Sequence, residues 1–69
     1  MKKYEFVVQD IISKISQKLI SEKLPTEREL SESYNVSRFT IRKALEKLQS
    51  IGIIYIKSGS GIYIYKNLD

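Results

Sequence analysis

A mainly α-helical domain closed by a small β-hairpin is the fold class that this 69-residue sequence predicts. Three observations carry it. Apolar residues keep a helical spacing through three segments up to Ile51, and Ser/Thr cap signals precede the second and third of them. After Gly52 the pattern turns to β-branched and aromatic runs around Ser58-Gly59-Ser60-Gly61. Three helices and a two-stranded wing, with a turn of three or four residues between the second and third helices, make a winged helix-turn-helix over residues 1–66.

The first helix is expected from Tyr4 to Ile20. Val8, Ile11, Ile12, Ile15 and Leu19 lie on one stripe at helical offsets, and Asp10, Lys14, Gln17 and Lys18 take the other side. The mixed charge of that polar face fits a stripe packed on a core rather than a helix lying on a membrane. Leu24-Pro25 ends the pattern, because proline pushes the residue before it toward extended geometry, and Leu24 is expected in a short connector or bridge.

Thr26-Glu27-Arg28-Glu29 is a capping box, and its acidic first turn complements the helix dipole. The second helix is expected from Glu27 to Tyr34, with Leu30 and Tyr34 on one face. Asn35 tolerates a left-handed backbone and can end it sharply. Ser37 is the next N-cap candidate. The third helix is expected from Arg38 to Ile51 on a core stripe of Ile41, Ala44, Leu45 and Leu48. Gly52 can close it in left-handed geometry, with Ile53 packing back on the last turn. Ile53–Lys57 and Ile62–Lys66 then read as the two strands of the hairpin, and Asn67-Leu68-Asp69 as the start of a linker.

Composition excludes several kinds of chemistry. The chain has no Cys and no His, so disulfides, thiolate zinc sites, cysteine nucleophiles, Ser-His triads and imidazole bases are absent. Glu27, Glu29 and Glu32 are the only carboxylate cluster, and solvation and dipole complement explain them more simply than catalysis. No enzyme activity, metal or cofactor is therefore expected. No apolar run approaches the roughly 20 residues that span a bilayer. Met1-Lys2-Lys3 is followed by Glu5 and Asp10 among apolar residues, with no small-residue cleavage site. The expected location is the cytoplasm, with no membrane partner.

The charge is one-sided. Residues 1–35 hold six basic and six acidic residues, whereas residues 36–69 hold six basic residues against Glu46 and Asp69, which accounts for the whole net charge of +4. Such a field suits a polyanion, whose binding is driven by phosphate neutralisation and counterion release. On a helical wheel the face of the third helix opposite its core stripe carries Phe39, Arg42, Lys43 and Glu46, flanked by Arg38, Thr40 and Lys47. In helix-turn-helix proteins the first residues of this helix reach base edges in the major groove. Arginine can fork onto guanine O6 and N7, and an aromatic ring can touch a thymine methyl. Arg38 and Arg42 are thus candidate base readers, and Phe39 beside them has a use that an isolated exposed aromatic lacks.

Ser37 and the amides of the turn it caps offer an anion site. Arg28, on the exposed start of the second helix, is a candidate phosphate contact; pairing with Glu32 one turn on is its plain surface role. Lys43 or Lys47 would add a phosphate contact. Ser58-Gly59-Ser60-Gly61 does not make a nucleotide loop, since Ile64 stands where a third glycine would be needed and no Lys-Ser/Thr follows. As a wing tip its glycines let the backbone approach a minor groove, with Lys57 at its base near a phosphate.

The segments Leu24-Pro-Thr-Glu-Arg-Glu-Leu, Val36-Ser-Arg-Phe-Thr-Ile-Arg-Lys-Ala-Leu, Gly52-Ile-Ile and Gly59-Ser-Gly resemble the DNA-binding domain of the GntR family of bacterial transcriptional regulators, over residues from about 4 to 65. The resemblance implies binding to palindromic double-stranded operators as a homodimer, usually as a repressor. It also implies a C-terminal domain that senses a small-molecule effector and provides most dimer contacts. By motif position Arg28 looks like the family's backbone-contacting arginine, Ser37 and Thr40 like its phosphate-contacting hydroxyls, and Arg38 and Arg42 like its major-groove arginines. Gly59, with Ser58 and Ser60 beside it, looks like its minor-groove residue. The sequence departs from the family pattern at Lys18-Leu-Ile-Ser-Glu-Lys23, which is shorter than the usual connector and lacks its glycines, so the first helix is expected to run longer or to meet the sheet at a different angle. The effector domain is missing, and the 69 residues read as a shortened form of a longer regulator. The competing expectation is a winged helix used for protein contact, with Phe39, Tyr63 and Tyr65 as interface anchors.

Overall fold

The computed structural model describes residues 2–65. Three helices, α1 (Lys3–Ser16), α2 (Glu27–Tyr34) and α3 (Arg38–Ser50), precede two strands, β1 (Ile54–Lys57) and β2 (Gly61–Ile64). This is the expected order. Lys66 and the linker expected at Asn67–Asp69 lie outside the described residues.

The first helix is shorter than its apolar pattern. It stops at Ser16, Gln17 caps it, and Lys18 turns left-handed at φ 63°. The Lys18 N–H bonds the Ile15 carbonyl at 3.0 Å and the Leu19 N–H bonds the Lys14 carbonyl at 2.9 Å, a Schellman closure with lysine where glycine is usual. Leu19 falls beyond this turn and is 69% exposed, so it is not part of the core stripe. Val7, on the flank of that stripe, is fully buried instead. The connector without glycine therefore ends the helix at a strained lysine instead of lengthening it. A left-handed non-glycine residue costs about 1–2 kcal/mol, and the greater unfolded-state freedom of glycine would offset part of the gain from relieving it. Lys18→Gly is expected to raise stability by about 0.5–1 kcal/mol in urea unfolding; a loss of stability would show that Lys18 is not strained.

The second and third helices begin as their caps predict. Thr26 Oγ1 accepts from the Glu29 N–H at 3.1 Å, and Glu29 Oε1 accepts from the Thr26 N–H at 2.8 Å. Asn35 ends α2 in left-handed geometry, and Ser37 Oγ then accepts from the Thr40 N–H at 3.1 Å to open α3. Gly52, at φ 80°, closes α3, and the Ile53 N–H bonds back to the Leu48 carbonyl at 3.0 Å.

α3 lies at the centre of the packing, against α1, α2 and β1. Its Ile41, Ala44, Leu45 and Leu48 meet Val7, Val8 and Ile11 of α1 and Leu30 of α2 in one buried cluster. Leu24, Ile54, Ile62 and Ile64 close that cluster from the wing side. Ile12, Ile15, Tyr34 and Ile53 pack half-buried around it.

The wing is antiparallel, with Ile54 opposite Ile64, Tyr55 opposite Tyr63, Ile56 opposite Ile62 and Lys57 opposite Gly61. The first strand starts one residue later than expected, and the second starts at Gly61, which pairs within the ladder. Gly61 has φ 144°, a backbone geometry that favours glycine; a Cβ there would also meet Lys23 Cε at 2.5 Å, which the flexible end of that lysine can give way to. The connector does form the bridge expected of it. Lys23 pairs with Tyr63, the Leu24 N–H bonds the Ile62 carbonyl at 2.9 Å, and the Ile64 N–H bonds the Glu22 carbonyl at 2.9 Å. The outer edge of β2 is thereby covered. On the outer face Tyr55 stacks on Tyr63 and tilts against Tyr65, with ring centroids 5.6 Å and 4.9 Å apart.

A polar link joins α1 to α2. The Tyr34 hydroxyl donates to Asp10 Oδ2 at 2.6 Å, and Lys14 Nζ sits 3.1 Å from the same oxygen. The Tyr34 hydrogen bond, then that of Lys14, holds the Asp10 carboxyl below its ordinary range, and burial followed by the Asp10 hydrogen bond pushes the Tyr34 hydroxyl up. A depressed carboxyl stabilises the fold above its unfolded pKa, and that contribution is lost as pH falls through the folded value. Tyr34→Phe is expected to cost about 1 kcal/mol at neutral pH. The difference from the parent should shrink below about pH 4. Thermal melts across pH 2–7 check this, and a gap independent of pH would remove Asp10 as the cause.

Candidate nucleic-acid interface

The cap at Ser37 turns the first residues of α3 outward. Ile41, Ala44, Leu45 and Leu48 fix the buried side of the helix, so Arg38, Phe39, Arg42 and Lys43 are all exposed on the opposite side. Ser37 and Thr40 hydroxyls lie 3.0 Å apart and share a hydrogen bond at the head of the helix. No described residue makes a hydrogen bond or ion pair with the Arg38 side chain, which extends from the first position of α3 into solvent.

Arg42 differs. Its Nε donates to Glu27 Oε2 at 2.9 Å, joining α3 to the first turn of α2. The Glu27 hydrogen bond, and then its charge, tightens the hold of Arg42 on its proton. The contact fixes the base of the guanidinium, and the remaining N–H donors stay chemically competent for a planar acceptor pair. Glu27 was legible only as a dipole complement, because a partner fifteen residues away leaves no local spacing signal.

Lys43 is held as well. Its Nζ lies 5.3 Å from the Tyr4 ring centroid and 5.7 Å from that of Phe39, a cation between two aromatic faces that ties the start of α1 to the outer face of α3. Phe39 itself is 69% exposed. Tyr4 is a further residue that the sequence reading did not place at this surface. Lys47 is exposed one turn further along the helix.

Arg28 stands on the exposed first turn of α2, with Nε 3.6 Å from Glu32 Oε2, the surface pairing that its spacing allows. Both partners are well solvated, so this contact holds Arg28 only loosely. The wing tip is exposed from Lys57 to Ser60. Ser60 Oγ lies 2.6 Å from the Tyr63 hydroxyl, which steadies the tip against β2. A groove of about 370 Å³ runs between the tip and the start of α2, with Lys23, Leu24, Thr26, Glu27 and Leu45 along one side and residues 56–62 along the other. Wing tip, α2 start and α3 therefore border one surface, and Lys23 adds an ammonium group to it that the sequence reading did not single out.

A trihelical core, a capped and basic third helix, and a hairpin folded beside it define a winged helix-turn-helix domain. The family model of bacterial regulatory proteins of the gntR family matches residues 3–64. The chain belongs to that family.

Among its relatives is the arabinose metabolism transcriptional repressor of Halalkalibacterium halodurans, 42% identical over 69 residues that cover 97% of this chain and 18% of the relative. The Uxu operon regulator of Haemophilus influenzae is 45% identical over 47 residues, covering 68% of this chain and 18% of its own. The chain thus spans about 18% of the length of these relatives. Among solved structures, the DNA-binding domain of AraR in complex with operator ORX1 superposes with a TM-score of 0.90 at 42% identity, covering 94% of this chain and 81% of that one. The possible transcriptional regulator YydK from Bacillus subtilis has a TM-score of 0.89 at 34% identity and covers 100% of this chain and 31% of its own.

Proposed function

We propose that this chain is the double-stranded DNA-binding domain of a GntR-type transcriptional regulator that acts as a repressor. The observation that carries the reading is the exposed first turn of α3, which presents Arg38, Phe39, Arg42 and Lys43 opposite the buried stripe. A relative 42% identical is described in its own solved structure as bound to an operator, which supports the same use of this surface. The first turn of α3 enters the major groove, where Arg38 and Arg42 read base edges. Arg28, Ser37, Thr40 and Lys43 or Lys47 set the register on phosphates, and Lys57, Ser58, Gly59 and Ser60 follow the neighbouring minor groove.

The role is one of binding, without catalysis, and it is exercised in the cytoplasm. Among the described residues no helix is long and apolar enough to cross a membrane. The domain works on a palindromic operator as one half of a homodimer, and a separate C-terminal domain supplies the effector response. The protein-contact alternative is not favoured: Phe39 packs with Lys43, whereas Tyr63 and Tyr65 gather around Tyr55 on the wing, so the proposed anchors do not form one patch.

Amide-shift titration with a palindromic duplex from the protein's own promoter region, in about 0.15 M salt, tests the reading. Shifts concentrated at residues 37–43, Arg28 and 58–61 are expected. Engagement of about five phosphates should also give a log–log salt slope near −4.5. Shifts scattered over Lys2, Lys14 and Lys18, with a flat salt response, would reject it.

A further inference from the structure

We infer that Phe39 reads the 5-methyl group of one thymine in the major groove, so that this domain distinguishes thymine from uracil at one position of each half-site. The inference rests on the DNA-binding function proposed above and adds the chemical group that is read. Among the side chains that the first two turns of α3 expose opposite the core, Arg38, Phe39, Arg42 and Lys43, only Phe39 is apolar. Its ring is 69% exposed in the middle of a charged face. On that face it gains from docking only if it meets an apolar group. The major-groove edge of a base pair offers one that projects into the groove, the thymine C5 methyl; the rest of that edge is hydrogen-bond donors and acceptors or flat ring C–H positions with no projecting apolar group.

The ring is also held in place. Lys43, one turn on, covers it at 5.7 Å from its centroid and is itself backed by Tyr4 at 5.3 Å. A cation on one face fixes the ring's orientation and leaves the rest of its surface to the groove. Arg38 precedes Phe39 and Arg42 follows it three residues on, so the thymine should lie next to a guanine that one of these arginines reads.

The test begins by selecting duplexes from a random-sequence pool with the 69-residue chain, then replacing each thymine of the selected site in turn with uracil. Uracil keeps every hydrogen-bonding group and removes only the methyl. The expected result is one thymine per half-site at which uracil weakens binding about fourfold, the equilibrium value of one buried methyl group. Phe39→Leu should keep that penalty and Phe39→Ala should abolish it. A selected site with no methyl-sensitive thymine, or an equal penalty in Phe39→Ala, overturns this inference and leaves DNA binding standing. A pool in which no sequence is enriched overturns both.

Discussion

Arg38→Ala is expected to weaken binding to a selected duplex by about five- to more than a hundredfold, and to relax discrimination at one base pair per half-site. The side chain leaves the first position of α3 with no hydrogen bond or ion pair to another described residue, so nothing in the fold competes for its guanidinium. A forked pair to guanine O6 and N7 is worth about 1–3 kcal/mol of discrimination. The loss should therefore be concentrated on the selected sequence and be small on scrambled DNA. Lys57→Ala at the base of the wing is the control. It should weaken all sequences about equally and reduce the salt slope by about 1. Equal losses on selected and scrambled DNA for Arg38→Ala would assign that residue to phosphate instead of base.

Ile41→Ala should unfold a large share of the molecules before any DNA is added. Ile41 is fully buried, and its neighbours Thr40 and Arg42 belong to the outer surface of the same helix. Truncating a buried isoleucine to alanine costs about 2–5 kcal/mol, because the core loses both the transferred apolar surface and the filling of the cavity left behind. A domain of this length has roughly 3–10 kcal/mol in total. Urea unfolding followed by circular dichroism should show the midpoint falling steeply. A cost below about 1 kcal/mol would mean that α3 is not anchored at this residue.

Much of this architecture is legible from local chemistry. Thr26 with Glu29, Asn35, Ser37 and Gly52 each set a boundary through bonds to residues within one turn, and the structure places those boundaries as expected at Glu27, Tyr34 and Arg38. The end of α1 is not legible in this way. Its apolar spacing runs on to Leu19, but the backbone turns at Lys18, a residue with no left-handed preference, because Glu22–Leu24 must reach back to β2. Tertiary pairing overrides periodicity there. The face of α3 was readable from its stripe alone. What holds that face was not: Glu27 reaches Arg42, and Tyr4 reaches Lys43 across two helices, and neither contact has a spacing that a single-sequence pattern can reveal.

The wing has a base and a tip with different freedoms. Ile54, Ile62 and Ile64 at the base belong to the core, and Leu24 is hydrogen-bonded to Ile62. Ser58 and Gly59 at the tip are exposed, and Ser60 is held within the hairpin alone, by its N–H on the Lys57 carbonyl at 2.9 Å and by the Tyr63 hydroxyl. An evolving lineage can therefore lengthen, shorten or recharge residues 58–60 while the three isoleucines stay in place. On the DNA-binding reading proposed above, preference for the flanks of an operator can drift at the tip with little penalty to folding, whereas each new choice on α3 must still fit a helix whose other side is the centre of the protein.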